Sequence, residues 1–488
     1  MNEEIRALDP KPLWNKFADL NAVPRPSKRE ERVIEFIKTF GNNLGLETLV
    51  DDTGNVIIKK PATKGMEDRK AVVLQAHLDM VHQKNNDSDF DFENQGIEMH
   101  IEGDWVKANG TTLGADNGLG VASMMAVLES DSIEHPALEA LFTVDEETGM
   151  TGAMGLESGL LKGDILLNLD TEEDDEIGIG CAGGVDITAQ NSYKEEEVPA
   201  DSVAYKIVVK GLQGGHSGMD IIKGLGNANK MMNRILFDGF EKFGLRIASI
   251  DGGGLRNAIP RESEAVITVD AVQKEEFLSQ TNKLISEIGQ EYASLEPKLK
   301  IEVSEHSLPE KVMTTGAQEL LVKAVSGIYN GVFRMSPEME GLVETSNNLA
   351  RVSVENGKIE VRCLTRSSVE SSKTDLTNGI RSVLELAGFD VTLSGAYPGW
   401  APNVDSPILK VMDELYQKLN GEKADIAACH AGLECGIIGN RYPEMDMVSF
   451  GPTIRGAHSP DERASISSAQ KYWNFFIEVL KNIPKKAA

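Results

Sequence analysis

The chain has 488 residues, 41% hydrophobic and 26% charged, which is ordinary for a globular protein and long enough for two or three domains. Acids outnumber Lys and Arg by 77 to 49, a net charge of -28; this excludes nucleic acid and an anionic membrane surface as main partners, since both are held by clustered cations. Cys181, Cys363, Cys429 and Cys435 show no CxxC or zinc-finger spacing, so reduced thiols in a cytoplasmic protein are expected rather than a disulfide scaffold.

The opening "MNEEIRALDPKPLWNKFADL" carries early acids and no apolar signal core. No run approaches the length of a transmembrane helix, so a soluble chain is expected. "PLWNKFADL" reads as an amphipathic helix that "VPRPS" breaks. Ser27 and Glu30 predict a capping box for a second helix through "KREERVIEFIKTFGNNLG". From residue 55 the texture changes. "NVIIKK", "KAVVLQA", "LEALFTV" and "DILLNL" are short runs rich in Val, Ile and Leu, with helical segments such as "GVASMMAVLES" among them. That alternation predicts an α/β layer on a buried sheet.

"SYKEEEVPADS" is polar and reads as a linker or edge connection, its glutamates a solvated face. Residues 188–398 then read as α+β. The strand "VAYKIVVKG", helix "GLGNANKMMNRILFDGF", strand "EAVITVDA" and helix "EEFLSQTNKLISEIGQEYASL" are followed by a second round. In that round "LARVSVENG" and "KIEVRCLT" predict a hairpin across Asn356-Gly357. The element order hints at a duplicated unit. After "PGWAPNVDSP" the α/β texture resumes with the helix "PILKVMDELYQKLNG", the strand "DMVSFGP" and a closing helix over "SISSAQKYWNFFIEVLKNI". The expectation is a discontinuous α/β core, 1–187 plus 399–488, with an α+β domain inserted at 188–398.

Open α/β sheets bind ligands beyond the carboxyl ends of their strands. At those ends the sequence places His77 and Asp79, then Asp145, Glu146 and Glu147, then Asp170, and after a Gly-rich loop His458; Asp116 stands at a helix start in "TTLGADNG". Each has an ordinary explanation alone: a buried histidine, a helix cap, an acidic turn. Together, two imidazoles and several carboxylates exceed what one tetrahedral zinc needs. They suit a pair of ions with one carboxylate bridging.

"AHLDMV", "GADNGLG", "DEETGMTGA", "NLD" and "GAHSPDE" resemble, collinearly and over nearly the whole chain, the five metal-site motifs of the co-catalytic zinc peptidases of clan MH. "QAHLDMV", "TTLGADNG" and "ACHAGLECG" are most similar to its aminoacyl-histidine dipeptidase branch. The resemblance implies a zinc-peptidase catalytic domain, its mixed central sheet flanked by helices, with an inserted lid domain. It implies two Zn²⁺ per subunit, with Co²⁺ or Mn²⁺ able to substitute. Asp116 would bridge, His77 and Asp170 would complete one site, and Glu147 and His458 the other. Asp79 would orient His77, and Glu146 would be the general base. In the lid, His216 of "GGHSG" resembles the oxyanion-stabilising histidine, Asn257 of "GGGLRNAIP" the substrate-backbone contact, and Arg366 of "CLTRSS" the arginine for the substrate carboxylate. Gly432 and Glu434 of "HAGLECG" fall where the family shapes its substrate pocket. His430 is left without a role.

The implied activity is hydrolysis of unblocked dipeptides, including Xaa-His and β-alanyl-histidine, by a hydroxide held between the metals. Asp at the Asp170 position goes with the aminopeptidase and dipeptidase side of the family, where carboxypeptidases and acylases typically have Glu. An aminoacylase or carboxypeptidase of the same fold, or an inactive peptide-binding protein, are the alternatives. A homodimer through the lid is the expected assembly. For the three consecutive acids, an extended segment would turn Glu146 and Glu147 to opposite sides. Glu147 would then hold metal while Glu146 stays free, and Asp145 would be a solvated or turn-stabilising residue.

Overall fold

The computed structural model describes residues 2–486, and the counts below are among these described residues. The chain forms two compact units. One comprises Met1–Gly180, Pro402–Ala428 and Leu433–Ala488; the other comprises Cys181–Ala401 and Cys429–Gly432.

The first unit is built on an eight-stranded mixed sheet. Its central strands, in spatial order Leu138–Thr143, Val72–His77, Ile165–Asn168 and Asp446–Ser449, run parallel. Val, Leu and Ala dominate them, and nearly every residue is buried, as expected of a sheet covered on both faces. Register pairs His77 with Thr143, Gln75 with Asn168, and Ser449 with Asn168, so the four carboxyl ends finish at one edge. Glu47–Val50 and Val56–Lys60 extend the sheet antiparallel on one side; on the other Glu176–Cys181 adds antiparallel, and Asp425–Cys429 follows it at the edge.

The helix Ala115–Glu129 is apolar all round and buried along nearly its whole length, which fits a core helix. Helix Lys11–Asn21, with Leu13, Trp14 and Phe17 buried, packs on it. Contact is close at Gly118, where a Cβ would stand 2.9 Å from the Phe17 ring. The closing helix Ile466–Lys481 seats Tyr472, Phe475 and Phe476 around Phe450, with ring centroids 5.5 to 6.1 Å from it.

The expected capping box is absent. Helix Glu31–Asn43 has no side-chain cap, and Ser27 Oγ donates instead to Asp79 Oδ2 at 2.8 Å. A buried carboxylate is the stronger acceptor and draws the hydroxyl inward.

The second unit is an antiparallel sheet of nine strands. Helices Ala228–Phe243, Lys274–Glu291, Thr315–Gly327 and Glu370–Leu386 contribute to one apolar core with it. The acidic stretch at 192–202 lies inside this unit, and its Glu195–Glu197 pairs with Lys311–Met313. Val343–Glu355 and Lys358–Ser367 form the expected hairpin, with Glu355 opposite Lys358. Asn356 (φ 50°) and Gly357 (φ 75°) carry the two positive φ values that a tight two-residue hairpin turn requires. Gly357→Ala places a Cβ on a left-handed residue and is expected to cost about 1 kcal/mol; urea unfolding checks it through a lower midpoint at unchanged slope.

Candidate metal centre

The site of the first unit grows from the parallel strand ends. His77 is the last residue of its strand and is 1% exposed. Its Nδ1 faces the carbonyl oxygen of Asp79 at 3.2 Å and Asp79 Oδ1 at 3.4 Å. Both are acceptors, so Nδ1 carries a proton, and Nε2 is the ring nitrogen aimed at the other carboxylates. Nε2 lies 3.1 Å from Asp116 Oδ1 and 3.5 Å from Asp170 Oδ1. On the other side of Asp116, Oδ2 lies 3.3 Å from His458 Nε2, which is 3.0 Å from Glu147 Oε2. Donor atoms of His77, Asp116 and Asp170 therefore fall within 4.8 Å of one another, as do those of Asp116, Glu147 and His458. The two groups share Asp116. A third group of the same tightness joins His77, Glu146 and Glu147.

The electrostatics are those of crowded acids. Burial pushes the Asp170 carboxyl up to about 6, with Asp116 and Glu147 adding to the rise against His77. Burial likewise holds Glu146 well above the usual range, with Asp170, Glu434 and Glu147 reinforcing it against His77. His458, bonded to Asp116 and Glu147, is raised to about 11. For His77, burial opposes protonation, but Asp170 and Asp116 outweigh it. Glu147 Oε1 is buried without a hydrogen-bond partner. A buried, unpaired carboxylate oxygen is costly and asks for a cation. Imidazole nitrogen and carboxylate oxygen converging in two groups about one shared carboxylate suit a pair of divalent ions.

The acidic turn departs from its expected geometry. Glu146–Gly149 is a short helical turn entered through Asp145 at φ 55°, not an extended segment. Alternation therefore does not separate the two glutamates, and both come near His77. Asp145 is 3% exposed, so it is no solvated residue. It accepts from Lys28 Nζ and Thr151 Oγ1, each at 2.5 Å, and from Thr148 Oγ1. Asp79 accepts the amides of Glu146 and Glu147 at 3.0 and 3.3 Å, and so holds this turn as well as His77.

Glu434 also lies in the first unit, at the start of helix Glu434–Arg441, and is fully buried. Its Oε2 accepts from Gln75 Nε2 and Thr143 Oγ1 at 2.6 Å. Burial pushes its carboxyl up to about 7. Gln75 accepts in turn from Asn168 at 2.5 Å, and Asn168 from Ser449 at 2.5 Å. This polar row runs across the four parallel strands at their carboxyl ends, with Thr143, Asn168 and Ser449 the last residues of their strands. Sequence reading passed over it because a lone Gln, Asn or Thr in an apolar run carries no motif. It also passed over Arg25, fully buried and donating to the carbonyls of Leu78, Asp79 and Gly114, and over Glu462, the last letter of "GAHSPDE".

The second unit gathers the other candidates. His216 Nδ1 accepts the amides of Gly218 and Met219 at 3.2 and 3.1 Å. The ring proton therefore sits on Nε2, which becomes a donor. Burial lowers the His216 pKa, and Arg366 lowers it further. Asn257 lies on the adjoining loop, and its carbonyl accepts the Ser217 amide at 2.7 Å. Arg366 is 5% exposed; Nη1 donates to Tyr397 Oη at 2.9 Å, while its buried Nε has no partner. Gly432 lies between strand Asp425–Cys429 and helix Glu434–Arg441. His430 Nε2 and Ser346 Oγ are 2.7 Å apart, and burial holds this imidazole down at about 3.

Arg366→Gln is expected to raise the His216 pKa without bringing it fully to the ordinary value of about 6.5, since burial remains. NMR titration of labelled histidine checks the sign; an unmoved titration removes the electrostatic link.

Residues 73–482 match Peptidase family M20/M25/M40. The chain is 45% identical to the cytosol non-specific dipeptidase of Escherichia coli (strain K12) over 99% of its own length and 100% of that protein. The crystal structure of aminoacylhistidine dipeptidase from Vibrio alginolyticus superposes with a TM-score of 0.95 at 45% identity, covering 99% of each chain. An aminopeptidase from Bacillus cereus shares the fold, with a TM-score of 0.61 at 16% identity over 98% of this chain and 99% of that one. The chain belongs to Peptidase family M20/M25/M40 and is a metallopeptidase.

Proposed function

We propose that this chain is a two-zinc dipeptidase of the cytosol that hydrolyses unblocked dipeptides, Xaa-His and β-alanyl-histidine among them. The observation that carries the reading is the pair of donor groups sharing Asp116, with Glu146 beside them. The full-length relatives named for dipeptidase activity support the substrate class. Asp116 would be shared by both ions, His77 and Asp170 would hold one, and Glu147 and His458 would hold the other. Zn²⁺, or Co²⁺ or Mn²⁺ in its place, would supply Lewis acidity and lower the pKa of a water when bound.

The chain's own residues do the rest. Asp79 fixes the His77 tautomer, leaving Nε2 as a ligand, and holds the Glu146 amide so that the base stays aimed. Glu146 takes the proton of the attacking water and passes it to the leaving amine. Its raised affinity for a proton suits that shuttle. His216 donates its Nε2–H to the developing oxyanion, which its neutral tautomer allows. Arg366 binds the substrate carboxylate through its guanidinium, and Asn257 the substrate backbone. Gly432 and Glu434 are the proposed pocket-shaping residues. A homodimer through the lid is the proposed assembly.

Glu146→Gln is expected to lower kcat by roughly 10²- to 10⁴-fold with metal content intact by elemental analysis. Wild-type turnover in that variant would remove Glu146 as the base. His458→Ala is expected to lose bound metal; unchanged content removes it from the ligand set. A panel of free dipeptides against N-acetyl amino acids, with Zn²⁺, Mn²⁺ and Co²⁺ supplied in turn, tests the substrate class. Preference for the acetylated compounds would point to an aminoacylase, and inertness toward both to a binding protein.

A further inference from the structure

We propose that Glu462 is a positioning residue for the shared carboxylate, holding the 113–116 turn in its ligand-ready shape before any metal arrives. The inference rests on the two-metal reading above. Glu462 is 2% exposed. Its Oε2 accepts the amides of Leu113 at 2.7 Å and Gly114 at 3.0 Å. Its Oε1 accepts those of Ala115 at 2.7 Å and Asp116 at 3.3 Å. Successive amides can converge on one anion where a left-handed residue turns the run, as in a backbone nest. Gly114, at φ 70°, is that residue.

The turn is gripped from its carbonyl side as well. Arg25 Nη2 donates to the Gly114 oxygen at 2.5 Å and to Asn21 Oδ1 at 3.1 Å. Arg25 Nη1 donates to the Leu78 and Asp79 oxygens, each at 3.1 Å. A Cβ on Gly114 would stand 2.6 Å from Arg25 Nη2 and 2.8 Å from Met80 Sδ, so the position has no room for a side chain. Glu462 also belongs to the segment of His458, and its own amide donates to the Ser459 oxygen at 3.0 Å. One side chain therefore ties the segment of His458 to the segment of Asp116. Glu462 is not itself a ligand, because both oxygens are committed to amides. A glutamine there offers one acceptor oxygen and turns an NH₂ donor toward amides that also donate.

The test uses the full chain with Zn²⁺ and Mn²⁺ as probes. In E462Q, affinity for both ions, read by competition with a chromogenic chelator, is expected to fall roughly ten- to a hundredfold, as for other groups that orient metal ligands. E462D, which keeps the charge one methylene short, is expected to recover part of the loss. In metal-free wild type the amides of 113–116 are expected to resist hydrogen exchange as strongly as with Zn²⁺ bound. A merely structural role would lower the melting temperature of the metal-free variants and leave the affinity of the folded protein unchanged; that result overturns the proposal. Protection of 113–116 that appears only when Zn²⁺ binds also overturns it, and needs no variant to fold. Wild type that binds neither ion overturns the two-metal reading itself, a result distinct from metal-binding wild type with an unaffected E462Q.

Discussion

Carboxylates crowded where water is largely excluded repel one another, and the first unit is organised around that repulsion. Two like charges 4 Å apart oppose each other by about 4 kcal/mol at an effective dielectric of 20. The protein answers some of these acids itself. Asp79 receives two amides and a serine hydroxyl. Asp145 receives Lys28 and two threonines, and Glu462 receives four amides. These acids are framework. Asp116, Glu147 and Asp170 are left facing imidazoles, with one Glu147 oxygen unpartnered. The division between answered and unanswered charge separates the residues that hold the site from those that suit a metal.

The sheet makes the gathering possible. Four parallel strands end at one edge because their register is staggered by no more than a few residues. Along that edge, the row Thr143–Glu434–Gln75–Asn168–Ser449 is hydrogen-bonded in sequence. Its links are paired through Glu434 Oε2, while Glu434 Oε1 is buried without a hydrogen-bond partner. The paired links brace the strand ends from which the candidate site grows.

In the second unit, a turn rather than a charge decides the chemistry. Two backbone amides on His216 Nδ1 select the tautomer with a donor at Nε2. Arg366 and burial both favour the neutral ring. Arg366, in turn, is nearly buried with Tyr397 as its side-chain partner and one guanidinium nitrogen unsatisfied. That combination suits an arginine whose anionic partner is a ligand.

The sequence by itself determined the element types of the long periodic segments and the hairpin at Asn356-Gly357, because hydrophobic period and turn chemistry are local. It also named the acids and histidines at the strand ends, because ligand-type residues after buried strands stand out against an apolar background. The tertiary structure alone decided the rest. Ser27 left its capping role because Asp79, 52 residues away, is the stronger acceptor. Asp145 was drawn inward by Lys28, 117 residues away. The strand-like alternation expected for the two glutamates gave way to a helical turn whose amides Asp79 accepts. Arg25 and Glu462 acquire meaning only once distant backbone turns toward them. Where a charge ends up depends on which donors the fold brings within reach, and that is a property of three-dimensional neighbours rather than of sequence neighbours.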